Sequence, residues 1–92
     1  MPDQATFTSK VSGQPYLEAH HFIPMMDQRH FDVSLDVTDN ICILNPYAHK
    51  MLHHATYDEI HPYLVELAKP RQHFLKELGI DVDRVLRSYA RA

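Results

Sequence analysis

Alternation of apolar and polar side chains first becomes regular at Tyr16, in the run YLEAHHFI that stops at Pro24. Aromatic and β-branched residues in alternation, closed by a residue without a backbone N–H, predict a strand over residues 16–23. In that strand Glu18 and His20 share one face, and Leu17, Ala19 and His21 share the other. Residues 24–40, PMMDQRHFDVSLDVTDN, carry no sustained helical stripe and predict a long surface connection with one turn near residues 25–29. Connections of that length are uncommon without a function. The apolar run Ile41–Leu44 predicts a second strand.

After Asn45 the spacing becomes helical. Asn45 is suited to cap a helix that has Pro46 at its first position, where a missing N–H costs nothing. Thr56 and Glu59 have the spacing of a capping box at the start of a further helix, with Tyr63, Leu64 and Leu67 on one side. Pro70 breaks or kinks that helix, and a segment over residues 71–78 ends at Gly79. Asp81 can cap a last helix that buries Val82, Val85, Leu86 and Tyr89. Residues 1–15 contain Pro2, Gly13 and Pro15 and read as an arm with at most a short strand over residues 7–11. No internal repeat or low-complexity stretch interrupts the chain.

Length limits the interpretation to one domain, because 92 residues bury only a moderate fraction of their surface. Hydrophobic residues at 45% and charged residues at 23% exclude a disordered chain. The polar start MPDQATFTSK does not resemble a basic segment leading into an apolar one, and no apolar run approaches a bilayer span. The expectation is a cytoplasmic protein with no membrane partner. Cys42 is the single cysteine, which excludes an internal disulfide and a four-cysteine zinc site. The net charge of −3 counts against a dedicated nucleic-acid binder, since phosphates are usually met by a basic surface.

Histidine alters this ordinary profile: there are 8 in the chain, and imidazole is both the commonest transition-metal ligand and the side chain that titrates nearest neutrality. His49 and His53, four apart on a predicted helix, project from one face and can converge on one ion. A strand carrying His20 and laid against that helix would supply a third ligand. Three neutral imidazoles leave coordination positions open, which is the arrangement of a catalytic site more than of a structural one. Neighbours on a strand point to opposite sides, so His20 and His21 divide into a ligand and a candidate base. His54 lacks the helical offset from His49 and is expected to be solvated. His30, His61 and His73 fit no ligand spacing and are expected at or near the surface. Cys42, in an apolar strand, reads as a small core residue. Asn40 has two readings, a turn residue after Asp39 or a functional residue ahead of the second strand.

The segments LEAHHFIP, LDVTDN and AHKMLHH, taken in order, resemble the signature of the HNH endonucleases over about residues 16–54. That resemblance implies an α+β fold with a ββα-metal (His-Me finger) core at residues 16–55, preceded by the arm and followed by a helical extension over residues 56–92 packed on the core. It further implies His21 as general base, Asn40 as the residue that fixes the loop carrying it, and His20, His49 and His53 as ligands of one divalent ion (Mg2+, Mn2+, Ni2+ or Zn2+). Glu18 corresponds to a glutamate that precedes the histidine pair by two places in the DNase colicins, and it is expected behind His20 as an orienting carboxylate. Many relatives read Cys-Pro-x-Cys-His where this chain has Asn45-Pro46-Tyr47-Ala48-His49. The extra zinc knuckle is therefore missing, and the C-terminal helices must supply the core it would have stapled.

The implied activity is hydrolysis of DNA phosphodiester bonds in a bacterial restriction or defence system, by this chain alone, as a homodimer or within a larger restriction-type protein or complex. Lys50 and Arg71, with Lys76, Arg84 and Arg87 behind them, are candidate phosphate contacts, although basic residues on helices are usually only solvated. The acidic balance is compatible with DNA binding if affinity comes from another domain, a partner subunit or the cation. One alternative is a catalytically silent metal-binding or DNA-binding module that keeps the fold. Another is a toxin-like nuclease paired with an immunity protein, for which nothing N-terminal argues.

Overall fold

In the computed structural model, which describes residues 6–91, two short strands precede four helices. Strand β1 (Glu18–His21) pairs antiparallel with β2 (Ile41–Leu44), in the register Glu18↔Leu44, Ala19↔Ile43, His20↔Cys42 and His21↔Ile41. The class is α+β. Strand β1 is shorter than the apolar run around it. At its end the Phe22 N–H donates to the Asn40 carbonyl (2.7 Å) and the Ile23 N–H to the Asn40 side chain (2.8 Å), so the chain leaves the ladder before Pro24.

The predicted surface connection over residues 24–40 is more ordered than its composition suggests. It contains 3-10 segments at Met25–His30 and Thr38–Asn40 and buries Asp27, Leu35 and Asn40. Helix α1 (Pro46–His54) starts at Asn45, whose Oδ1 accepts the Ala48 N–H at 2.7 Å. Helix α2 (Tyr57–Ala68) starts at Thr56, but the box closes differently from the expected pattern. Thr56 Oγ1 meets the Glu59 carboxylate at 2.9 Å, and the Glu59 N–H goes to the Thr56 carbonyl.

Pro70 lies in a 3-10 turn, Lys69–Arg71, that separates α2 from α3 (Gln72–Glu77). Gly79 (φ +75°) then reverses the chain, and the Ile80 N–H reaches back to the Leu75 carbonyl. Asp81 accepts the Arg84 N–H at 3.1 Å ahead of α4 (Val82–Arg91). The described part of the arm forms no strand over residues 7–11. It turns back at Gly13, makes one bridge between Thr8 and Pro15, and stacks the rings of Phe7 and Tyr16 at 4.9 Å. Residues 1–5 of that arm lie outside the described residues.

One hydrophobic cluster runs through the molecule. Phe22, Ile23, Leu35, Cys42, Leu44, Ala48 and Leu52 meet Ile60, Leu64, Ala68, Phe74, Leu75, Val85, Leu86 and Tyr89. Two four-residue strands bury too little apolar surface to be stable alone, so the helices after residue 55 are part of the same core. No helix among the described residues is long and apolar enough to cross a membrane.

Candidate metal centre

Helix α1 packs against β1 so that three imidazoles meet. His20, His49 and His53 each offer a ring nitrogen within 4.8 Å of the other two, and the His20 ring lies 5.3 and 5.2 Å from those of His49 and His53. His20 is buried, His49 half-buried and His53 exposed, so the cluster opens to solvent on one side.

Hydrogen bonds decide which nitrogen the His49 and His20 rings can offer. Glu18 Oε1 lies 2.8 Å from His49 Nδ1. A carboxylate only accepts, so Nδ1 carries the proton and the Nε2 lone pair faces His53. The sequence reading had placed Glu18 behind His20, and the structure corrects this: Glu18 and His20 share a face of β1, but it is α1 that brings His49 over the Glu18 carboxylate. That carboxyl is held below its usual range, first by the His49 hydrogen bond and then by the Tyr16 hydroxyl. Behind His20 stands Tyr89 of α4, its hydroxyl 2.7 Å from His20 Nε2 and 2.7 Å from the Phe22 carbonyl.

His49 Nε2 and His53 Nε2 are 3.2 Å apart. Two ligands on a tetrahedral ion at about 2.0–2.1 Å each sit roughly 3.3 Å from one another, so the spacing matches a shared cation. Burial, followed by the charges of His53 and His49, holds the His20 imidazolium pKa down at about 4. Desolvation and His49 lower that of His53 as well. All three influences favour the neutral, metal-ligating form. The donor set therefore fits one divalent cation, with positions left for other ligands.

A cavity of about 310 Å³ adjoins the cluster. His20, His49 and His53 line it together with His21, Tyr89 and Met25. Among the described residues β1 pairs only with β2, and Ala19, His20 and His21 of β1 all line the cavity. His21 Nε2 lies 2.9 Å from Asp36 Oδ1, which leaves Nδ1 with a lone pair.

Asn40 is fully buried, and its side chain makes three hydrogen bonds. Oδ1 accepts the Ile23 N–H, while Nδ2 donates to the carbonyls of Ile23 (3.1 Å) and Leu35 (2.9 Å). One amide thus ties the chain just after His21 to the chain just before Asp36.

The remaining candidates lie elsewhere. Lys50 is exposed and borders a separate hollow with Tyr47, Met51 and His54. Arg71, expected as a phosphate contact, is turned inward: Nη1 donates to the Leu67 carbonyl, Nη2 to the Ile41 carbonyl, and the guanidinium covers the Phe22 ring. Its guanidinium is thus engaged by main-chain carbonyls of α2 and β2. Arg84 is similarly occupied by Ser88, at 2.9 Å, and by the Phe31 ring. His54 is exposed and outside the cluster. Tyr89 and the buried Asp27, which takes the Ser88 hydroxyl proton at 2.6 Å, were missed by sequence reasoning. Only the polar tip of Tyr89 in an otherwise apolar stripe could have signalled the former.

Comparison with models of known protein families, with curated proteins and with solved structures finds no match to this chain.

Proposed function

We propose that the chain is a metal-dependent endonuclease of the HNH kind, that β1, β2 and α1 form its ββα-metal core, and that it hydrolyses DNA phosphodiester bonds with His21 as general base. One observation carries the proposal: the nitrogens of His20, His49 and His53 gather within 4.8 Å beside a cavity that His21 also lines. The setting in a bacterial restriction or defence system follows from the sequence resemblance.

In this reading Asp36 accepts the His21 Nε2 proton and fixes the tautomer. His21 Nδ1 then takes a proton from the water that attacks phosphorus, in line with the departing 3′ oxygen, and the product carries a 5′ phosphate. Asn40 holds both ends of that pair, through Ile23 and Leu35. When bound, a divalent ion at the three imidazoles supplies Lewis-acid stabilisation of charge on the phosphate and on the leaving oxygen.

A catalytically silent metal-binding module would use the same three histidines without His21 as a base. Incubation with supercoiled plasmid and Mg2+, Mn2+, Ni2+ or Zn2+ separates the two. Nicking by the wild type is expected, and His21→Ala should lower it by about 10²–10⁴-fold while Zn2+ affinity stays within about twofold. Absence of nicking with every ion at high protein concentration would establish the silent module, and a fully active His21→Ala would remove His21 from the mechanism.

A further inference from the structure

The two hydrogen bonds at the Tyr89 hydroxyl have only one consistent direction. The Phe22 carbonyl can only accept, so the single phenolic proton points to it. The other contact of that oxygen, with His20 Nε2, must then use an oxygen lone pair, and the proton between them belongs to the imidazole. His20 is thereby fixed with Nε2 protonated and Nδ1 bare. His49 is fixed in the opposite sense, because its Nδ1–H donates to Glu18.

We infer that Tyr89 is a positioning residue for the cation centre: through the Phe22 carbonyl and its own hydroxyl it leaves Nδ1 as the bare nitrogen that His20 can offer to an ion shared with His49 and His53. This inference rests on the three-histidine centre proposed above and extends it to a helix that carries none of its ligands. Tyr89 belongs to α4, which begins more than twenty residues after the last ligand, His53. It is buried in the common core. Phe22, the carbonyl at the other end of the chain of hydrogen bonds, follows His20 by two residues and is itself fully buried. The tyrosine thus registers β1 against α4 at the residue where a misdirected ring would cost a ligand. A hydrogen-bond acceptor for the far N–H of a ligating imidazole sets ring orientation and tautomer, and its loss typically lowers metal affinity by about 10–100-fold.

The test uses the full chain in two measurements. Nitrogen-15 NMR of the metal-free protein at neutral pH reads the tautomer of each histidine without metal or substrate, and His20 is expected with Nε2 protonated and His49 with Nδ1 protonated. Calorimetric titration with Zn2+ then compares the wild type with Tyr89→Phe, which keeps the ring and removes the hydroxyl. The variant should retain the circular dichroism of the wild type, lose the single His20 tautomer, and bind Zn2+ about 10–100-fold more weakly. A His20 ring protonated at Nδ1 in the wild type, or Tyr89→Phe with undiminished Zn2+ affinity, would overturn the inference. Should Tyr89→Phe fail to fold, the wild-type tautomer alone decides. A wild type that binds no Zn2+ brings down the metal centre itself, whereas a Zn2+-binding wild type that never nicks DNA removes only the nuclease reading and leaves Tyr89 in its role.

Discussion

Truncation of Asn40 to alanine isolates a polar residue on which both the fold and the proposed base, His21, depend. The side chain is 0% exposed and makes three hydrogen bonds, all to main-chain groups of Ile23 and Leu35, whose side chains are themselves buried. Each such bond contributes about 1 kcal/mol net, and each buried group left without a partner costs about 1–3 kcal/mol. The Ile23 N–H and the Leu35 carbonyl would both be stranded, so the expected loss is about 3–5 kcal/mol. Set against a total of about 5–15 kcal/mol for a domain, that is a large fraction of the stability, and it corresponds to a fall in Tm of roughly 15–30 °C.

Asn40→Asp tests the same geometry by charge instead of by deletion. It keeps an acceptor for the Ile23 N–H but turns a carboxylate towards two carbonyl oxygens, so it should be no more stable than the alanine variant at neutral pH. Urea denaturation gives the free energies and scanning calorimetry the Tm values. Because Asn40 touches the chain on either side of the His21–Asp36 pair but no ligand, cleavage should fall by more than Zn2+ affinity does. An Asn40→Ala protein within 1 kcal/mol of the wild type would show that the three bonds are replaceable and that the clamp argument is wrong.

Two further outcomes follow from the ligands. Glu18→Ala removes the acceptor for His49 Nδ1 and should weaken Zn2+ binding by about 10–100-fold in calorimetry, and unchanged affinity would mean that the His49 ring is oriented by packing alone. Acid should destabilise the metal-free protein: His20 is held at about 4 by burial and by His53 and His49, whereas an unfolded imidazole titrates near 6.5. Between those values the unfolded chain binds more protons, so stability rises with pH through this window and is lost on acidification. The urea midpoint should be lower at pH 5 than at pH 7.5, with the difference reduced in His20→Asn, and equal wild-type midpoints would contradict the assignment.

Local signals were legible where one segment supplies both partners. The Asn45–Pro46 start of α1, the turn at Gly79 and the Asp81 cap each need only a few consecutive residues. The convergence of His49 and His53 needs only the helical period. Beyond the approach of His20 to His49 and His53, partners separated by long stretches of chain were not legible. Glu18 was assigned to the wrong imidazole because strand alternation shows which residues share a face but not which helix residue lies above them. Arg71 looked like a surface cation until the docking of α2 and its following turn placed two main-chain carbonyls around it. The connection over residues 24–40 was read as polar surface, because its order comes from single buried groups, Asp27, Leu35 and Asn40, and not from a periodic stripe.

The same long-range partners explain how so small a centre holds together without a zinc knuckle. Strands of four residues do not fix a ligand to a fraction of an ångström by themselves. In this chain β1 is held to β2 along the ladder, to Asn40 just past its end, through Glu18 to His49 of α1, through His21 to Asp36, and through His20 to Tyr89 of α4. The last of these also draws in the Phe22 carbonyl, and the neighbouring Ser88 hydroxyl on α4 holds Asp27 of the intervening segment. Helix α4 in turn packs on α2, and its Val85 and Leu86 belong to the same buried cluster as Leu64 of α2. The geometry of the histidine centre therefore inherits its rigidity from the whole hydrophobic core. Disturbing α4, far along the chain from the three histidines, should reach the proposed cation site through a path of named bonds and not through general loosening.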